Sequence, residues 1–516
     1  MPDSRAIDAR IAGATAAAVA LGVGELVTGI DPAGTSLTSV VGDEFIDRFA
    51  GPLKDLAISL FGTHDKAALV VGIVVVALLA GAALGRASLA RPWVGPAGIG
   101  AFGVLGAWAY AVSPLASASL GLVAALLAAA AGIGTLTFLL RRAPKPPPPK
   151  PQKRAQMPTA GGAPRRQFLV TSGLFAAGAA SAAAVGRKLR APDPGAAVRE
   201  TVAVPEPSTP LAAPPTDAFT VDGLSSFVTP NADFYRIDTA LTIPRIDVAG
   251  WSLDVAGHVD DPFSITFDEL LAMDSVEEVV TLQCVSNEVG GYLVGNAVWQ
   301  GVPLRALLDR AGVQDAGEQV VGVSVDGFTA GFPRSLLVDD DRTAIVAYAM
   351  NGELLPARHG FPARLVVAGL YGYVSATKWL QTIRLTRLDE LDGFWIPRGW
   401  SKDGPIKTMS RIDVPRSGQP LRVGTNAIAG VAWAPTRGVS RVEVRIDDGD
   451  WQPVELGDAT TDETWVQWFF SWDAPAGDHT ITVRATDGDG VVQTDVVAPP
   501  APDGATGLHS RRVAVA

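Results

Sequence analysis

The stretch of sequence that decides the fold is TLQCVSNEVGGYLVGNAVWQGVPLRALLDRAG, residues 281–312. It contains Cys284, the only cysteine in 516 residues, so no disulfide can form within the chain. Strand-forming residues precede this cysteine, and a thiolate at the end of a strand suits a metal ligand or a nucleophile. The alternative is a small, buried apolar side chain. The residue alone leaves these interpretations open.

The chain that precedes this stretch is strongly apolar. Hydrophobic residues make up 48% of the sequence and are concentrated before residue 188. A helix needs about 20 apolar residues to cross a bilayer. We therefore predict a transmembrane region at residues 1–140 and a fifth transmembrane helix at residues 167–187. The four helices of the first region are predicted at residues 11–30, 67–84, 94–112 and 117–140.

The charged residues between these segments predict their orientation. A basic, proline-rich linker at residues 141–166 follows the fourth helix, whereas the loop after the first helix is mainly acidic. The positive-inside rule assigns basic loops to the cytoplasm. This arrangement predicts a multi-pass protein of the cell membrane whose chain lies on the extracytoplasmic side after about residue 190. The supporting basic residues outside the linker are Arg5, Arg10, Arg86 and Arg91.

A short motif precedes the fifth predicted helix. Residues 165–169 read Arg-Arg-Gln-Phe-Leu, which resembles a twin-arginine export signal placed inside the chain. The alternative is a pair of arginines that merely flanks a helix. The twin-arginine route carries folded proteins, often with their cofactor installed. The proline- and alanine-rich residues 188–218 that follow predict a flexible linker.

About 300 residues remain, which is enough for two domains. Residues 219–405 mix predicted strands with short helices, one capped by Thr266 and one between Pro303 and Gly312, so an α+β domain is predicted. Residues 406–516 are nearly all strand and turn, which is typical of an immunoglobulin-like sandwich. Its strands are predicted at residues 421–423, 426–433, 440–446, 464–472 and 479–485.

Four blocks, in this order, resemble the molybdenum-cofactor domain of the sulfite oxidase family. They are TPNADFY (229–235), the stretch at 281–312, AYAMNGELLPARHGFPARLVV (347–367) and YGYVSATKW (371–379). The resemblance covers about residues 220–500. It implies a molybdopterin-binding oxidoreductase domain at 219–405 and the family's dimerisation domain at 406–516. It also implies a molybdenum–molybdopterin cofactor, a small-molecule substrate, a separate redox partner and a homodimer formed through the C-terminal domain.

The resemblance also assigns roles to individual residues. Cys284 is the implied molybdenum ligand and catalytic residue, because molybdenum accepts one thiolate beside the two sulfurs of the pterin. Arg364 and Lys378 are implied to bind the cofactor's phosphate, and His359 its ring system or phosphate. The other implied cofactor-binding residues are Asn231, Phe234, Tyr235, Asp326, Ser375, Ala376 and Thr377, and Arg236 is a second catalytic candidate.

The sequence departs from the family's pattern where the substrate is expected. Sulfite oxidases carry arginines shortly after the cysteine, whereas this chain has Glu288 and Val289. An acid at this place disfavours a dianion by Coulomb repulsion, although Arg236 can compensate in part. Sulfite oxidation and sulfoxide reduction therefore both stay open, together with small nitrogen oxo-compounds.

Composition limits the remaining possibilities. The five histidines lie outside the predicted membrane helices, so no haem is expected, and one cysteine cannot hold an iron–sulfur cluster. The formal charge of −11 argues against nucleic acid as a partner. For Glu25 in the first helix, the open interpretations are a contact with a partner or with another helix, a proton path, or a carboxyl near the outer end that reaches the interface. Two further functions are an inactive cell-surface binding protein on this fold and a cysteine hydrolase that uses His258 or His359.

Overall fold

The computed structural model describes residues 4–31, 33–46, 48, 65–144, 163–337 and 342–516. The chain divides into two compact units. The first comprises Met1–Asp193 together with Thr239–Arg245, and the second comprises Pro194–Asp238 and Ile246–Ala516. Most of the predicted basic linker, residues 145–162, lies outside the described residues.

The described part of the first unit is helical. Five of its helices are long and apolar enough to cross a membrane, which agrees with the five predicted segments. A shorter helical stretch lies at residues 37–46. The long helices are α1 (Ser4–Thr28), α2 (Asp65–Ala87), α3 (Val94–Val112), α4 (Ala118–Arg142) and α5 (Ala163–Leu189).

Glycines allow α1 to contact its neighbours at the level of the backbone. A Cβ atom on Gly13 would clash with the backbone of Gly81 in α2, and a Cβ atom on Gly22 would clash with that of Ala179 in α5. Small residues are typical of helix contacts in membranes, because close van der Waals packing rather than the hydrophobic effect drives helix association in lipid. The closest glycine contacts with α2 lie in the first half of α1, and those with α5 lie in the second half. Arg165 of α5 also pairs with Asp8 near the start of α1, at 3.4 Å.

Residues 188–218 were predicted to form a flexible linker, but the structure shows regular elements there. Helix α5 continues to Leu189, and a short helix α6 (Pro194–Thr201) follows it. Thr209 then forms a β-bridge with Val276, and the Pro205 carbonyl accepts a hydrogen bond of 2.7 Å from Gln300 Nε2. These residues cover the edge strand of a sheet, which protects the unpaired backbone groups of that edge.

Two five-stranded sheets, one antiparallel and one mixed, form the first part of the second unit, as the α+β prediction requires. One sheet has the order β3-β4-β7-β8, with β9 paired to β7, and the other has the order β2-β1-β10-β5-β6. The strands of the first sheet are β3 (Val276–Gln283), β4 (Val294–Pro303), β7 (Ala344–Met350), β8 (Glu353–Leu354) and β9 (Arg364–Val367). Those of the second are β1 (Ser252–Gly257), β2 (Phe263–Thr266), β5 (Gln319–Ser324), β6 (Thr329–Pro333) and β10 (Leu380–Thr386).

Three short helices connect these strands, and two follow the predicted caps. Thr266 caps α7 (Phe267–Leu271), where its hydroxyl and the Glu269 carboxylate form a reciprocal capping box. Helix α8 (Leu304–Ala311) ends at Gly312, whose φ of 63° is the left-handed conformation that glycine favours. The third helix is α9 (Gly372–Ser375).

The C-terminal part of the second unit is all-β, as predicted. It has two four-stranded sheets, β11-β12-β16-β15 and β14-β13-β17-β18, which share one hydrophobic core. The strands are β11 (Met409–Val414), β12 (Gly424–Trp433), β13 (Val439–Ile446), β14 (Gln452–Pro453), β15 (Glu455–Leu456), β16 (Val466–Ala474), β17 (Gly477–Asp487) and β18 (His509–Val515).

The prediction of individual strands was incomplete in this part, because β11, β14, β15 and β18 were missed. Residues 421–423 form no strand, and only an isolated bridge joins Leu421 to Val515. Strand β11 was missed because it carries Arg411 and Asp413, which a period-two pattern assigns to solvent. Both side chains are nevertheless buried, because they form an ion pair of 2.6 Å.

The α+β and all-β parts are not separate bodies. Met409, Trp433 and Trp465 come from the all-β strands or the turn before them, yet they belong to the hydrophobic core of the α+β part. Indole nitrogens at this contact are paired, since Trp465 Nε1 donates to the Phe227 carbonyl at 2.8 Å. The all-β part therefore helps to shape whatever site the α+β part carries.

Candidate functional site

Cys284 follows β3 directly and begins the loop that leads to β4. The backbone N–H of Cys284 donates to the Leu293 carbonyl at 2.9 Å, so the loop closes on itself. The N–H of Ser286 points at the cysteine sulfur from 3.4 Å. The cysteine is 9% exposed. A thiolate, which is the form that ligates metal or acts as a nucleophile, can accept this N–H.

Strands of the all-β part hold both ends of this loop. Trp433 Nε1 donates to the side-chain oxygen of Gln283 at 2.7 Å, next to the cysteine. Arg411 Nη1 donates to the Gly291 carbonyl at 3.0 Å. Gly290 has a φ of 76°, and a Cβ atom at this position would clash with the imidazole of His509. Sequence reasoning missed these residues, because none lies in a motif near Cys284.

Two tyrosines lie within electrostatic range of the cysteine. Burial raises the pKa of Tyr235, the negative charge of Cys284 raises it further, and the charge of Arg364 opposes both effects. Burial likewise raises the pKa of Tyr371 to about 12, with a smaller contribution from Cys284. The structure thus brings the predicted Tyr235 together with Cys284 and Arg364. Tyr371 is a residue that the sequence analysis left without a role.

The two predicted phosphate-binding residues meet at Gly360. This glycine has a φ of 113°, and a Cβ atom there would lie 3.1 Å from the Cβ atoms of both Arg364 and Lys378. The Gly360 carbonyl accepts a hydrogen bond of 3.2 Å from the N–H of Trp379, and Leu365 N–H donates to the Thr377 carbonyl at 2.9 Å. Blocks 347–367 and 371–379 therefore form one cationic site.

Arg364 is a buried cation, and the groups that it contacts among the described residues are neutral. Its side chain is 5% exposed, Nη1 donates to the His359 carbonyl at 3.1 Å, and the guanidinium lies 4.9 Å from the Trp299 ring centroid. Among the described residues no carboxylate forms an ion pair with it. Burial lowers the pKa of Arg364 to about 10. A buried guanidinium without a counter-charge is costly, so this position calls for an anion.

Lys378 shares one carboxylate with Arg236. Lys378 Nζ and Arg236 Nε each lie 2.8 Å from Oδ2 of Asp238, whose side chain is 4% exposed. Burial lowers the pKa of Lys378 to about 8, although Asp238 opposes this effect. Asp326 lies within electrostatic range of Asp238 and Lys378, and burial raises the pKa of its carboxyl. Arg236 was predicted as a catalytic residue. Its ion pair with Asp238 instead places it beside Lys378, the phosphate-binding candidate.

His359 joins the blocks at 229–235 and 347–367. Its Nε2 lies 2.9 Å from the Asn231 carbonyl oxygen, which can only accept, so Nε2 carries the proton. Burial lowers the pKa of His359 to about 4, so the ring is neutral near pH 7. Its Nδ1 is then an acceptor. The ring also packs edge-on against Phe234, with centroids 5.7 Å apart.

Several predicted side chains bind protein groups that shape the site. Asn231 Nδ2 donates to the Met350 carbonyl at 3.1 Å, and its oxygen accepts from Asn351 at 2.7 Å. The Ser375 hydroxyl donates to the Tyr371 carbonyl at 3.1 Å, and the Thr377 hydroxyl to the Gly322 carbonyl at 3.3 Å. Ala376 lies in the same turn, just after α9. The hydroxyl protons of Ser375 and Thr377 are thus engaged by backbone carbonyls.

The residues present fit a molybdenum cofactor. Among the buried donors that lack a hydrogen-bond partner in the described residues, two lie beside predicted site residues: Asn287 Nδ2, three positions after Cys284, and Arg358 Nε, next to His359. Together with Arg364 they offer hydrogen bonds to an acceptor-rich, anionic ligand. The described residues contain no group of three or more His, Cys, Asp or Glu that could hold a metal. One thiolate suffices when the cofactor supplies the other ligands.

The histidine base that a cysteine hydrolase needs is engaged elsewhere. His258 Nε2 lies 2.8 Å from the Glu390 carboxylate at the surface, and His359 Nε2 binds the Asn231 carbonyl. The site is thus built for an anionic cofactor beside a thiolate. It defines a class of protein, the molybdenum-cofactor-dependent oxidoreductases.

Comparisons with known proteins support the same class. Residues 240–395 match the family described as the oxidoreductase molybdopterin binding domain. The chain is 29% identical to mitochondrial sulfite oxidase of Homo sapiens over 336 residues, which cover 56% of this chain and 60% of that protein. It is 35% identical over 160 residues to the uncharacterized oxidoreductase YuiH of Bacillus subtilis (strain 168), covering 31% of this chain and 76% of that protein.

Two further similarities have a narrower reach. NADH nitrate reductase of Solanum lycopersicum is 32% identical over 186 residues, which cover 31% of this chain and 20% of that protein. The sulfane dehydrogenase SoxCD from Paracoccus pantotrophus has a similar structure, with a TM-score of 0.48 and 22% identity over 58% of this chain and 81% of that chain.

This chain belongs to the sulfite oxidase family of molybdopterin-dependent oxidoreductases. It spans 60% of the length of the mitochondrial sulfite oxidase that it matches.

Proposed function

We propose that this protein is a membrane-anchored enzyme that reduces a small, neutral S-oxide or N-oxide on the extracytoplasmic side of the cell membrane. The observation that carries the proposal is the cationic site at Gly360, where no carboxylate of the described residues forms an ion pair with the buried Arg364. Bound there, the molybdenum cofactor supplies oxygen-atom transfer coupled to two-electron redox change. Cys284 is proposed as the protein ligand of the metal.

The residues of the chain contribute binding and charge control in this proposal. Arg364 and Lys378 bind the phosphate, and the neutral His359 accepts a hydrogen bond at Nδ1 from the amino-rich pterin. Tyr235, which lies within electrostatic range of Cys284 and Arg364, keeps its proton because its pKa is raised. It is therefore a hydrogen-bond donor at the cysteine end of the site. Asp326 is proposed to bind the pterin edge.

The loop after Cys284 favours a neutral substrate over sulfite. Glu288 is exposed, and Val289 is half-buried against the hydrophobic core. Neither side chain can hold an oxyanion, and the acid repels one. Arg236 is engaged by Asp238 at 2.8 Å, so the partial compensation considered for it is weakened. Sulfite oxidation stays the second candidate because relatives of that name match the chain.

Topology and assembly complete the proposal. The arginine and lysine bias of the loops supports an extracytoplasmic catalytic part, and residues 165–169 at the start of α5 are proposed as a twin-arginine signal. The two sheets of the all-β part, with their common core, support an immunoglobulin-like sandwich that forms a homodimer. Protease treatment of intact cells tests the sidedness: the segment 141–166 should be protected, and cleavage there would contradict it.

The activity itself is tested on the purified full-length protein. One molybdenum per chain, with turnover of dimethyl sulfoxide or trimethylamine N-oxide by a reduced dye, is expected. Sulfite with an oxidised dye is the matched control. A protein without molybdenum would support an inactive binding protein, and sulfite as the better substrate would support the second candidate.

A further inference from the structure

The first unit contains a cavity that the oxidoreductase chemistry does not use. Its volume is about 480 Å³, and helices α1, α2 and α5, the residues 36–39 and Thr242 form its walls. In α1, Gly13 lies against the backbone of α2, and Gly22 lies against the backbone of α5. The cavity opens where α1 and α2 are no longer held together by small residues.

The cavity is apolar along most of its length and polar at one end. Val70, Val74 and Leu78 of α2 face alanines of α5 across the apolar part. Glu25 and Arg190 lie at the polar end, where their carboxylate and guanidinium form an ion pair of 3.0 Å. The Thr38 hydroxyl also donates to Glu25, at 2.8 Å. Such a shape suits a lipid with one polar head group and an extended hydrocarbon tail.

A second observation points to a ligand at the polar end. Arg190 Nε is buried and has no hydrogen-bond partner among the described residues, although Nη2 of the same guanidinium binds Glu25. A buried donor in this state is costly unless a ligand or water supplies an acceptor. The Glu25 carboxylate has lone pairs to accept a further hydrogen bond. The polar end thus offers one donor and one acceptor next to each other.

This pairing distinguishes a redox-active lipid from a phospholipid. The Glu25–Arg190 ion pair is neutral as a whole, which favours an uncharged head group, although the exposed Arg187 also lines the cavity and would favour a phosphate. A quinone carbonyl accepts from Arg190 Nε, and a quinol hydroxyl donates to Glu25. Both redox states of one head group therefore find a partner. We propose that the cavity binds the head group of an isoprenoid quinone.

The inference rests on the proposed function, because an oxidoreductase needs an electron donor or acceptor. A mobile carrier in the membrane suits this need, because the cavity lies among helices that are long and apolar enough to cross a membrane. The cavity wall includes Thr242, four residues after Asp238 of the cationic site in the sequence. The structural observations that support quinone binding do not use the molybdenum site.

The test measures binding of a radiolabelled short-chain ubiquinone analogue to the full-length protein in detergent micelles, with empty micelles as the blank. Val74→Trp fills the cavity and should weaken binding roughly tenfold or more. Val75→Trp is the matched control, because Val75 is the next residue of α2, is exposed and does not line the cavity. Arg190→Gln removes the unpartnered donor and should weaken binding to a similar degree.

Equal binding by the wild type and both tryptophan variants would overturn the inference. So would displacement of the analogue by an equimolar phosphatidylglycerol together with sensitivity to Arg187→Gln rather than Arg190→Gln, which would identify a phospholipid site. Molybdenum content and dye-linked activity of the same preparations are recorded in parallel. A wild-type protein that binds the quinone but has neither molybdenum nor dye-linked activity would contradict the proposed function and leave the cavity assignment standing. A wild-type protein with molybdenum and activity but without quinone binding would contradict the cavity assignment alone.

Discussion

Lys378 lies 2.8 Å from the carboxylate of Asp238, 140 residues earlier in the chain. The same carboxylate oxygen binds Arg236, so one buried acid holds two cations of the proposed cofactor site. Asp238 is not part of any block that identified the family. The charge of the site is therefore set by a residue that only the folded chain reveals.

Asp238→Asn should destabilise the protein. The change leaves Lys378 and Arg236 without their counter-charge, which costs about 3–5 kcal/mol for a buried pair. We expect the thermal midpoint to fall by about 6 °C or more, measured by differential scanning fluorimetry. Asp233→Asn, an exposed acid of the same segment, is the control and should have the wild-type midpoint. Equal midpoints for both variants would show that the pair contributes little.

Arg364→Ala should lower cofactor content. The substitution removes charge-assisted hydrogen bonds worth about 1.5–3 kcal/mol each, so occupancy should fall roughly tenfold or more at limiting cofactor. Molybdenum and pterin are measured on the purified protein by mass spectrometry and fluorescence after oxidation. Arg384→Ala, on the exposed side of β10, should retain full cofactor. Full occupancy in the Arg364 variant would rule out this residue as the phosphate ligand.

Cys284→Ser should abolish turnover while the protein still folds. Serine is nearly isosteric at this 9% exposed position, but its hydroxyl is a poor ligand for a metal that prefers a thiolate. Export, thermal midpoint and pterin content are expected to stay close to those of the wild type. Dye-linked activity with the best oxo-substrate is the measurement. Activity at the wild-type level would exclude Cys284 as the metal ligand.

Acid should destabilise the protein between pH 6.5 and about 4, partly through His359. Burial lowers its pKa from 6.5 to about 4 in the folded chain, so in this window the unfolded state binds the additional proton. The contribution of His359 to the free energy of unfolding is therefore fully present above pH 6.5, and about 3 kcal/mol of it is lost as the pH falls through the window. His509, with the same direction and a pKa of about 4, adds a similar loss.

Unfolding of wild type and His359→Gln across this pH range checks the assignment. Glutamine keeps a nitrogen donor for the Asn231 carbonyl but does not titrate. The variant should lose about half of the acid-induced fall in stability, and His359→Gln with His509→Gln should lose most of it. A wild-type pH profile in the double variant would show that other groups control the acid response.

Sulfite should be a poor substrate that one substitution improves. Val289→Arg restores a cation where sulfite oxidases carry arginine, and one such contact is worth about 1.5–3 kcal/mol, or roughly tenfold to a hundredfold in kcat/KM. The gain should shrink at high salt, because charge attraction is screened. Val289→Gln is the uncharged control. If the unaltered enzyme already oxidises sulfite with a kcat/KM of about 10⁶ M⁻¹s⁻¹ or more, the proposed preference is wrong.

The sequence by itself determined the family, the class of cofactor and the helical and strand-rich parts of the chain. Those features rest on local patterns: runs of apolar residues long enough for a bilayer, ordered blocks around Cys284, and caps such as Thr266 and Gly312, which the structure confirms. A local pattern is readable because its physical cause lies within a few neighbouring residues.

Only the tertiary structure decided how the site is held. Asp238 pairs with Lys378, Arg411 and His509 hold the cysteine loop, and the residues after 194 cover a sheet edge. Each contact joins segments far apart in sequence, and buried charged residues such as Arg411 contradict the period-two pattern that identifies strands. The free energy that fixes them comes from burial and charge pairing between distant segments, which no local stretch of sequence records.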